Sequence, residues 1–380
     1  MKKLLLLFIL PLIISTSQGA GHYITKYVTY GGLNRAYYLY IPAHYDSTKA
    51  TPMLLVLHGL GDTITNFKGI NMNLVADTAT FIFAMPQAII DPLVGASAWN
   101  SGAGEFNYAT NSNVDDVGFL NSIFDTTALY YNIDQTRLYS TGFSMGGFMT
   151  NRLGCQLPRL AAIASVSGTF GNYFTPNPTR AVPSCHFHGT ADQTVNYTGD
   201  PFGNDPEQLV AYWRAHDHCD TIPTIDTLPQ HVNDGLKFVH YTYANGDFGS
   251  DVEFYKVIGG THEWIMDANM NYSVAIWQFF YKHQWTEQVN AINEIPATVN
   301  LKVFPNPAND VLNIAYDATG AGEQLIITDL TGRVVFIQEL AAGENTQQIN
   351  VTNWAAGSYT YHMRGGAGNV ISRGLFVVGR

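Results

Sequence analysis

The chain has 380 residues, enough for one large domain and one small one. Only 13% of them are Asp, Glu, Lys or Arg, and the formal net charge is -11; this argues against nucleic acid or an acidic polymer as partner, because a phosphate-binding surface needs clustered Lys and Arg. The three cysteines, Cys155, Cys185 and Cys219, allow at most one internal disulfide, their pairing is not readable, and their wide spacing matches no zinc pattern.

Met1-Lys2-Lys3, the apolar run Leu4–Ile14 and the small polar stretch up to Ala20 have the three parts of a secretory signal, expected over residues 1–20. The apolar run is too short to cross a membrane and no later stretch is long enough, so the expectation is an exported chain without a transmembrane segment. Tyr23–Tyr30 and Leu33–Ile41, joined at Gly31-Gly32, read as an opening hairpin. Met53–His58, Phe81–Met85, Arg137–Thr141, Ala161–Ser167, Val182–His188 and Asp251–Ile258 read as further strands. Val114–Tyr131, Met145–Cys155, Pro206–His216 and Asn271–His283 carry apolar residues at helical spacing. Strands alternating with helices over residues 21–285 predict an α/β fold with a mostly parallel central sheet. Pro86 to Asn113 is long and without periodicity, which makes it a candidate lid or pocket wall. Residues 286–300 read as a linker, with Pro296 near its end. Residues 301–380 switch to short alternating strands with Gly and Asn turns, a small all-β sandwich.

The chemistry starts at Gly142-Phe143-Ser144-Met145-Gly146, where a strand pattern runs into a helix pattern. A G-x-S-x-G there is a nucleophile elbow, and the glycines are needed because the serine sits on a sharp, strained turn. A serine hydroxyl needs a histidine base and a carboxylate that fixes the base's tautomer, in the chain order Ser, Asp or Glu, His. Asp192 fits as the acid, a few residues beyond the strand ending His186-Phe187-His188-Gly189. His262 fits as the base, directly after the Glu253–Ile258 strand and Gly259-Gly260-Thr261. Among the competitors, His188 reads as a buried strand-end residue bonded to the neighbouring loop; His216, His218 and His231 read as exposed. Asp217 and Asp220 read as solvated surface, and Asp115 and Asp116 as charge at a helix N-terminus. The oxyanion donors are expected to be the N–H groups of Met145 and Leu60, with Gly61 as the alternative to Leu60. His58-Gly59 also reads simply as a tight strand exit. Trp99 and Trp264 are candidate substrate contacts, with core packing as the alternative; Asn100 is a candidate to bond substrate or to cap a turn. Asn245–Asp251 is oxygen-rich but lacks the spacing of a calcium loop and is assigned to a hairpin turn. No metal and no cofactor is expected.

Several blocks between Tyr30 and Tyr281 carry a resemblance: Leu57-His58-Gly59-Leu60-Gly61, Ala98-Trp99-Asn100, Val114-Asp115-Asp116, the elbow, Phe187-His188-Gly189-Thr190-Ala191-Asp192 and Gly259-Gly260-Thr261-His262. In this order they resemble the secreted α/β-hydrolase family of feruloyl esterases, acetylxylan esterases and polyhydroxybutyrate depolymerases. The resemblance implies a serine carboxylic-ester hydrolase with the triad Ser144, Asp192 and His262, most closely a feruloyl or related plant-polysaccharide esterase, with a polyester depolymerase as the alternative. Many relatives carry cysteines after the Trp-Asn block, where this chain has Gly102-Ala103-Gly104-Glu105, so no disulfide-braced loop is expected. Val303-Phe304-Pro305-Asn306-Pro307, Asp329-Leu330-Thr331-Gly332-Arg333 and the ending Gly374–Arg380 resemble the C-terminal sorting domain of the type nine secretion system. That resemblance implies an extracellular or surface-attached protein handled by the secretion machinery through residues 301–380. A reading from another class is a surface carbohydrate-binding protein with an inactive hydrolase fold. Against a binding role for the tail, Phe336, Trp354, Tyr359 and Tyr361 read as core.

Overall fold

The computed structural model describes residues 20–105, 108–285, 301–318, 323–329, 334–341, 343–364 and 370–379. The expected signal, up to residue 19, and the linker 286–300 lie outside the described residues. The chain divides into two compact units, with the boundary between residues 286 and 287.

In the first unit the elements run β1 His22–Tyr30, β2 Leu33–Ile41, β3 Thr51–Leu57, α1 Met72–Ala79, β4 Ile82–Pro86, a two-residue pair β5 Gly104–Glu105 and β6 Tyr108–Ala109, and α2 Asp116–Ala128. They continue with β7 Ile133–Phe143, α3 Met145–Gln156, β8 Ala162–Val166, β9 Ser184–Gly189, α4 Pro206–His216, β10 Thr224–Thr227, β11 Lys237–Tyr243, β12 Val252–Ile258 and α5 Tyr272–Tyr281. Ten strands form one sheet in the order β1-β2-β4-β3-β7-β8-β9-β12-β11-β10. The six from β4 to β12 are parallel, while β1, β2, β11 and β10 extend the two sides antiparallel. This is the mostly parallel α/β-hydrolase sheet that the sequence predicts.

Strands β3, β4 and β8 are buried at every residue, as parallel strands covered on both faces must be. The two-residue period of β3 sorts its side chains. Met53, Leu55 and Leu57 point into a core with Phe119 and Leu120 of α2, Leu153 of α3 and Trp213 of α4. Leu54 and Val56 point into a second core with Met72 and Ala76 of α1 and Ile276 and Phe280 of α5. Helix α1 and strands β10 and β11 were not expected from the sequence.

The stretch from Pro86 to Asn113 is held to the loop after β3 by Trp99 Nε1–H, which donates to His58 O, and by Ser97 O, which accepts from Gly61 N–H, and it is also braced from within. The fully buried Asp91 carboxylate accepts from the N–H groups of Leu93 and Val94 at 2.9 Å and of Asn111 at 2.6 Å. Asp115 caps α2 through Gly118 N–H, but Asp116 does more than the expected helix-end charge: it is buried, paired with Arg35, and accepts from Asn100 N–H at 2.6 Å. Asp217 corrects the expectation of a solvated carboxylate. It is fully buried, because Val182 N–H and Ser250 Oγ–H, from distant parts of the chain, both donate to it, and His216 beside it is only partly exposed. All three cysteines are buried and unbonded; burial pushes the Cys155 and Cys219 thiols up to about 12.

The second unit holds β13 Lys302–Phe304, β14 Val311–Ala318, β15 Gln324–Asp329, β16 Val334–Glu339, β17 Gly343–Asn350, β18 Gly357–Arg364 and β19 Val370–Val378. They form two antiparallel sheets, β13-β14-β17 and β16-β15-β18-β19. Leu312, Ile314, Leu325, Ile327, Ile349, Met363 and Phe376 fill their shared core. Phe336, Trp354, Tyr359 and Tyr361 pack on that core, as the strand pattern predicts.

Candidate active site

Ser144 follows β7 and precedes α3 with no intervening loop, at φ 54° and ψ -122°. A conformation this sparsely populated costs about 1–3 kcal/mol and persists only where the surroundings impose it. Here two glycines let the backbone close up: a Cβ on Gly142 would overlap the Gly146 carbonyl, and one on Gly146 would overlap the carbonyls of Leu57 and His58. Ser144 N–H donates to Val166 O at 2.8 Å, and Ser144 O accepts from Gly147 N–H at 2.8 Å. Gly59, just past the end of β3, packs on the same spot; a Cβ there would lie 3.3 Å from Ser144 Cβ.

Asp192 and His262 follow the C-terminal ends of β9 and β12, which are parallel neighbours with Val257 opposite Gly189. The structure brings the two side chains together: His262 Nδ1 lies 2.7 Å from Asp192 Oδ2. Asp192 Oδ1 accepts from the N–H groups of Thr194 and Val195 at 2.8 and 2.9 Å. Burial pushes this carboxyl's pKa up, but the His262 hydrogen bond and charge and the two backbone donors outweigh it and hold the group below the usual carboxylate range. A carboxylate can only accept, so the proton of that imidazole sits on Nδ1 and leaves Nε2 bare when the ring is neutral. The His262 side chain is 16% exposed and its acid partner is fully buried. Its ring lies against Phe143, the residue before Ser144, with 4.7 Å between ring centres.

A second layer fixes the loop that carries the acid. His188 Nε2 lies 2.8 Å from Val195 O, which can only accept, so Nε2 carries the proton and Nδ1 accepts from His186 Nε2–H at 3.1 Å. His186 Nδ1 then accepts from Ser165 Oγ–H at 2.7 Å. Both rings are neutral in this chain, and burial drives both pKa values down. His188 is thus the buried strand-end residue expected from the sequence. His218 and His231 are exposed, as expected.

For the two expected oxyanion donors, neither Met145 N–H nor Leu60 N–H has an acceptor among the described residues. The alternative donor, Gly61 N–H, is already committed to Ser97 O at 2.8 Å. Trp99 takes its packing alternative: it is fully buried and its Nε1–H donates to His58 O at 2.9 Å, so it holds the loop after β3 and does not line an open pocket. Asn100 caps a turn. Its side-chain amide donates to Val114 O at 2.7 Å, and its carbonyl and side-chain oxygens both accept from Arg152 at 2.7 Å. Trp264, two residues after His262, is half-buried, its Nε1–H donating to Ser273 Oγ at 3.1 Å. No His, Cys, Asp and Glu cluster able to hold a metal occurs among the described residues.

An elbow serine with a paired histidine and carboxylate at the C-terminal ends of parallel strands is the arrangement expected of a serine hydrolase. Comparison with known proteins agrees with the class: residues 44–201 match the phospholipase/carboxylesterase family, and residues 302–377 match the secretion system C-terminal sorting domain. The bifunctional acetylxylan esterase/xylanase of Neocallimastix patriciarum is 29% identical over 268 residues, which cover 69% of this chain and 35% of that protein. The poly(3-hydroxyalkanoate) depolymerase C of Paucimonas lemoignei is 22% identical over 319 residues, covering 72% of this chain and 74% of the other. The acetyl xylan esterase structure from Aspergillus awamori superposes with a TM-score of 0.48 at 18% identity, covering 69% of this chain and 99% of that one. The chain thus spans about a third of the length of the first of these relatives. The sorting domain marks it for export to the extracellular space or the cell surface. Among the described residues no helix is long and apolar enough to cross a membrane.

Proposed function

We propose that the protein is an exported serine carboxylic-ester hydrolase that works through an acyl-enzyme and needs no cofactor. The observation that carries this reading is the 2.7 Å contact between His262 Nδ1 and Asp192, with the His262 ring packed against Phe143, the residue before the strained Ser144. His262 Nε2 takes the Ser144 proton as Oγ attacks the ester carbonyl, and the N–H groups of Met145 and Leu60 hold the oxyanion. His262 then passes the proton to the departing alcohol. Water attacks the acyl-enzyme by the same route in reverse, releasing the acid and restoring Ser144.

The substrate we propose is a feruloyl or related ester on plant polysaccharide, with the half-buried Trp264 as a wall for the flat acyl group. The second reading, a polyester depolymerase, is favoured by the similarity that extends over 74% of the polyhydroxyalkanoate enzyme. Residues 301–380 engage the secretion machinery in this scheme. The mature chain is to be assayed on p-nitrophenyl acetate beside Ser144→Ala. Loss of turnover in the variant is expected, and equal rates would leave only the carbohydrate-binding reading. Methyl ferulate against polyhydroxybutyrate film then ranks the substrates; turnover of the film alone would reverse our order.

A further inference from the structure

The imidazole of His58, immediately after β3, is buried and takes no part in the scheme above. Its tautomer can be read from its neighbours. Ala88 N–H, at 3.1 Å, can only donate, so Nε2 is bare and accepts; the Gln87 amide lies 3.1 Å from the same nitrogen. The ring proton is therefore on Nδ1, and it donates to Gly59 O at 2.7 Å. Burial lowers the ring's pKa, which keeps it neutral. The backbone of the residue is fixed too, because His58 O accepts from Trp99 Nε1–H.

Gly59 O belongs to the peptide unit whose N–H is that of Leu60. The only cis bonds among the described residues precede Pro305 and Pro307, so the Gly59-Leu60 peptide is trans and planar, with carbonyl and N–H pointing in opposite directions. Holding the carbonyl on the imidazole therefore turns the Leu60 N–H away from it. Gly59 Cα meanwhile packs against Ser144. Asp62 N–H also donates to Gly59 O, but at 3.3 Å, so the imidazole at 2.7 Å is the nearer of the two donors.

Resting on the esterase reading, we propose that His58 is a positioning residue: its Nδ1–H locks the Gly59-Leu60 peptide so that the Leu60 N–H stays aimed at the oxyanion above Ser144. Residue 58 touches neither substrate nor the reacting atoms; it acts through the peptide unit that follows it.

Two substitutions separate this role from packing. In His58→Asn the side-chain amide nitrogen can occupy the place of Nδ1 and donate to Gly59 O. In His58→Gln the longer amide reaches the place of Nε2 and leaves Gly59 O with only the longer bond from Asp62 N–H, although glutamine fills the cavity better. Each variant of the mature chain is assayed on p-nitrophenyl acetate and titrated with phenylboronic acid. The boron of this probe bonds the Ser144 oxygen, whose proton passes to His262, and its tetrahedral adduct places an oxygen where the oxyanion forms.

The expected result is that His58→Gln loses about 10²-fold in kcat and a similar factor in boronate affinity, with KM nearly unchanged. His58→Asn is expected to recover most of both. Equal losses in the two variants, or wild-type kcat in His58→Gln, would overturn the proposal. A nitrogen NMR measurement on wild type gives a check that needs no variant: a protonated Nδ1 and a bare Nε2 are expected, and the opposite tautomer would overturn it. Equal turnover by wild type and Ser144→Ala would remove the esterase reading and this inference with it, whereas turnover that depends on Ser144 but not on residue 58 would remove this inference alone.

Discussion

Asp192→Asn tests the proposed mechanism at one pair of atoms. In the wild type, Oδ1 faces the two N–H donors of Thr194 and Val195, and Oδ2 faces His262 Nδ1. An asparagine amide has one oxygen and one NH2 group, and the two backbone donors will hold the oxygen at the Oδ1 position. The NH2 group is then forced against His262 Nδ1 and donates to it. That nitrogen must give up its proton, which moves to Nε2, the nitrogen that should accept from Ser144. The base is still in place but in the wrong tautomer. The same substitution in a serine-protease triad lowers kcat by about 10⁴-fold, which at ~1.36 kcal/mol per tenfold is about 5.4 kcal/mol of barrier. We expect a loss of this order in kcat for p-nitrophenyl acetate near pH 7, with KM nearly unchanged and the fold intact. A kcat within about tenfold of wild type, with the fold intact, would refute the assignment of Asp192 as the group that orients the base.

Further outcomes concern stability. The Glu253 carboxyl is buried, which raises its pKa, but hydrogen bonds from His240 and Lys282 and the Lys282 charge outweigh burial and hold it below the usual range. Its contribution is therefore present above the unfolded carboxyl value, about 4.3, and is lost as pH falls through the lower folded value. The Tm difference between wild type and Glu253→Gln should shrink on acidification through that window, and a constant difference would contradict the linkage. Arg35→Met leaves the buried Asp116 carboxylate without its cation, for an expected loss of about 3–5 kcal/mol read from the urea midpoint; an unchanged midpoint would show the pair to be dispensable. With three buried, unbonded thiols, a thiol reagent should find none in the native protein and three after denaturation, and reductant should leave Tm unchanged. A drop in Tm with reductant would mean that a disulfide forms.

Much of the site was legible because its chemistry sits where strand patterns end. The elbow follows an apolar run directly, and Asp192 and His262 lie within a few residues of the ends of two others, so strand prediction and residue type together single them out as candidates. What could not be read is the direction in which a side chain turns when its partner is far away in sequence. For Trp99 the sequence leaves substrate contact and core packing both open, and the inward turn that decides between them depends on a carbonyl 41 residues earlier. Asp217 looked solvated at a helix end, and only Ser250 and Val182, 33 and 35 residues away, make it a buried acceptor. Helix α1 escaped because it is eight residues long and Asn71 before it makes no side-chain cap. Strand β11, Lys-Phe-Val-His-Tyr-Thr-Tyr, mixes polar and aromatic residues because all but one of its residues are only partly buried or exposed. The role of His58 had a signal in its place directly before Gly59 at a strand exit, but the tautomer that gives it meaning comes from Ala88, 30 residues on.

The strand order leaves the nucleophile and the base on unequal footings. Ser144 grows straight out of β7 at the middle of the sheet, whereas His262 follows β12, three places along the row, or about 14 Å away at ~4.8 Å per strand. Only a short segment bridges that gap, and the acid is its anchor point. A change in the neighbouring loops can therefore shift the base by a fraction of an ångström without disturbing the elbow, so turnover in this scaffold can drift while the serine stays where the sheet puts it.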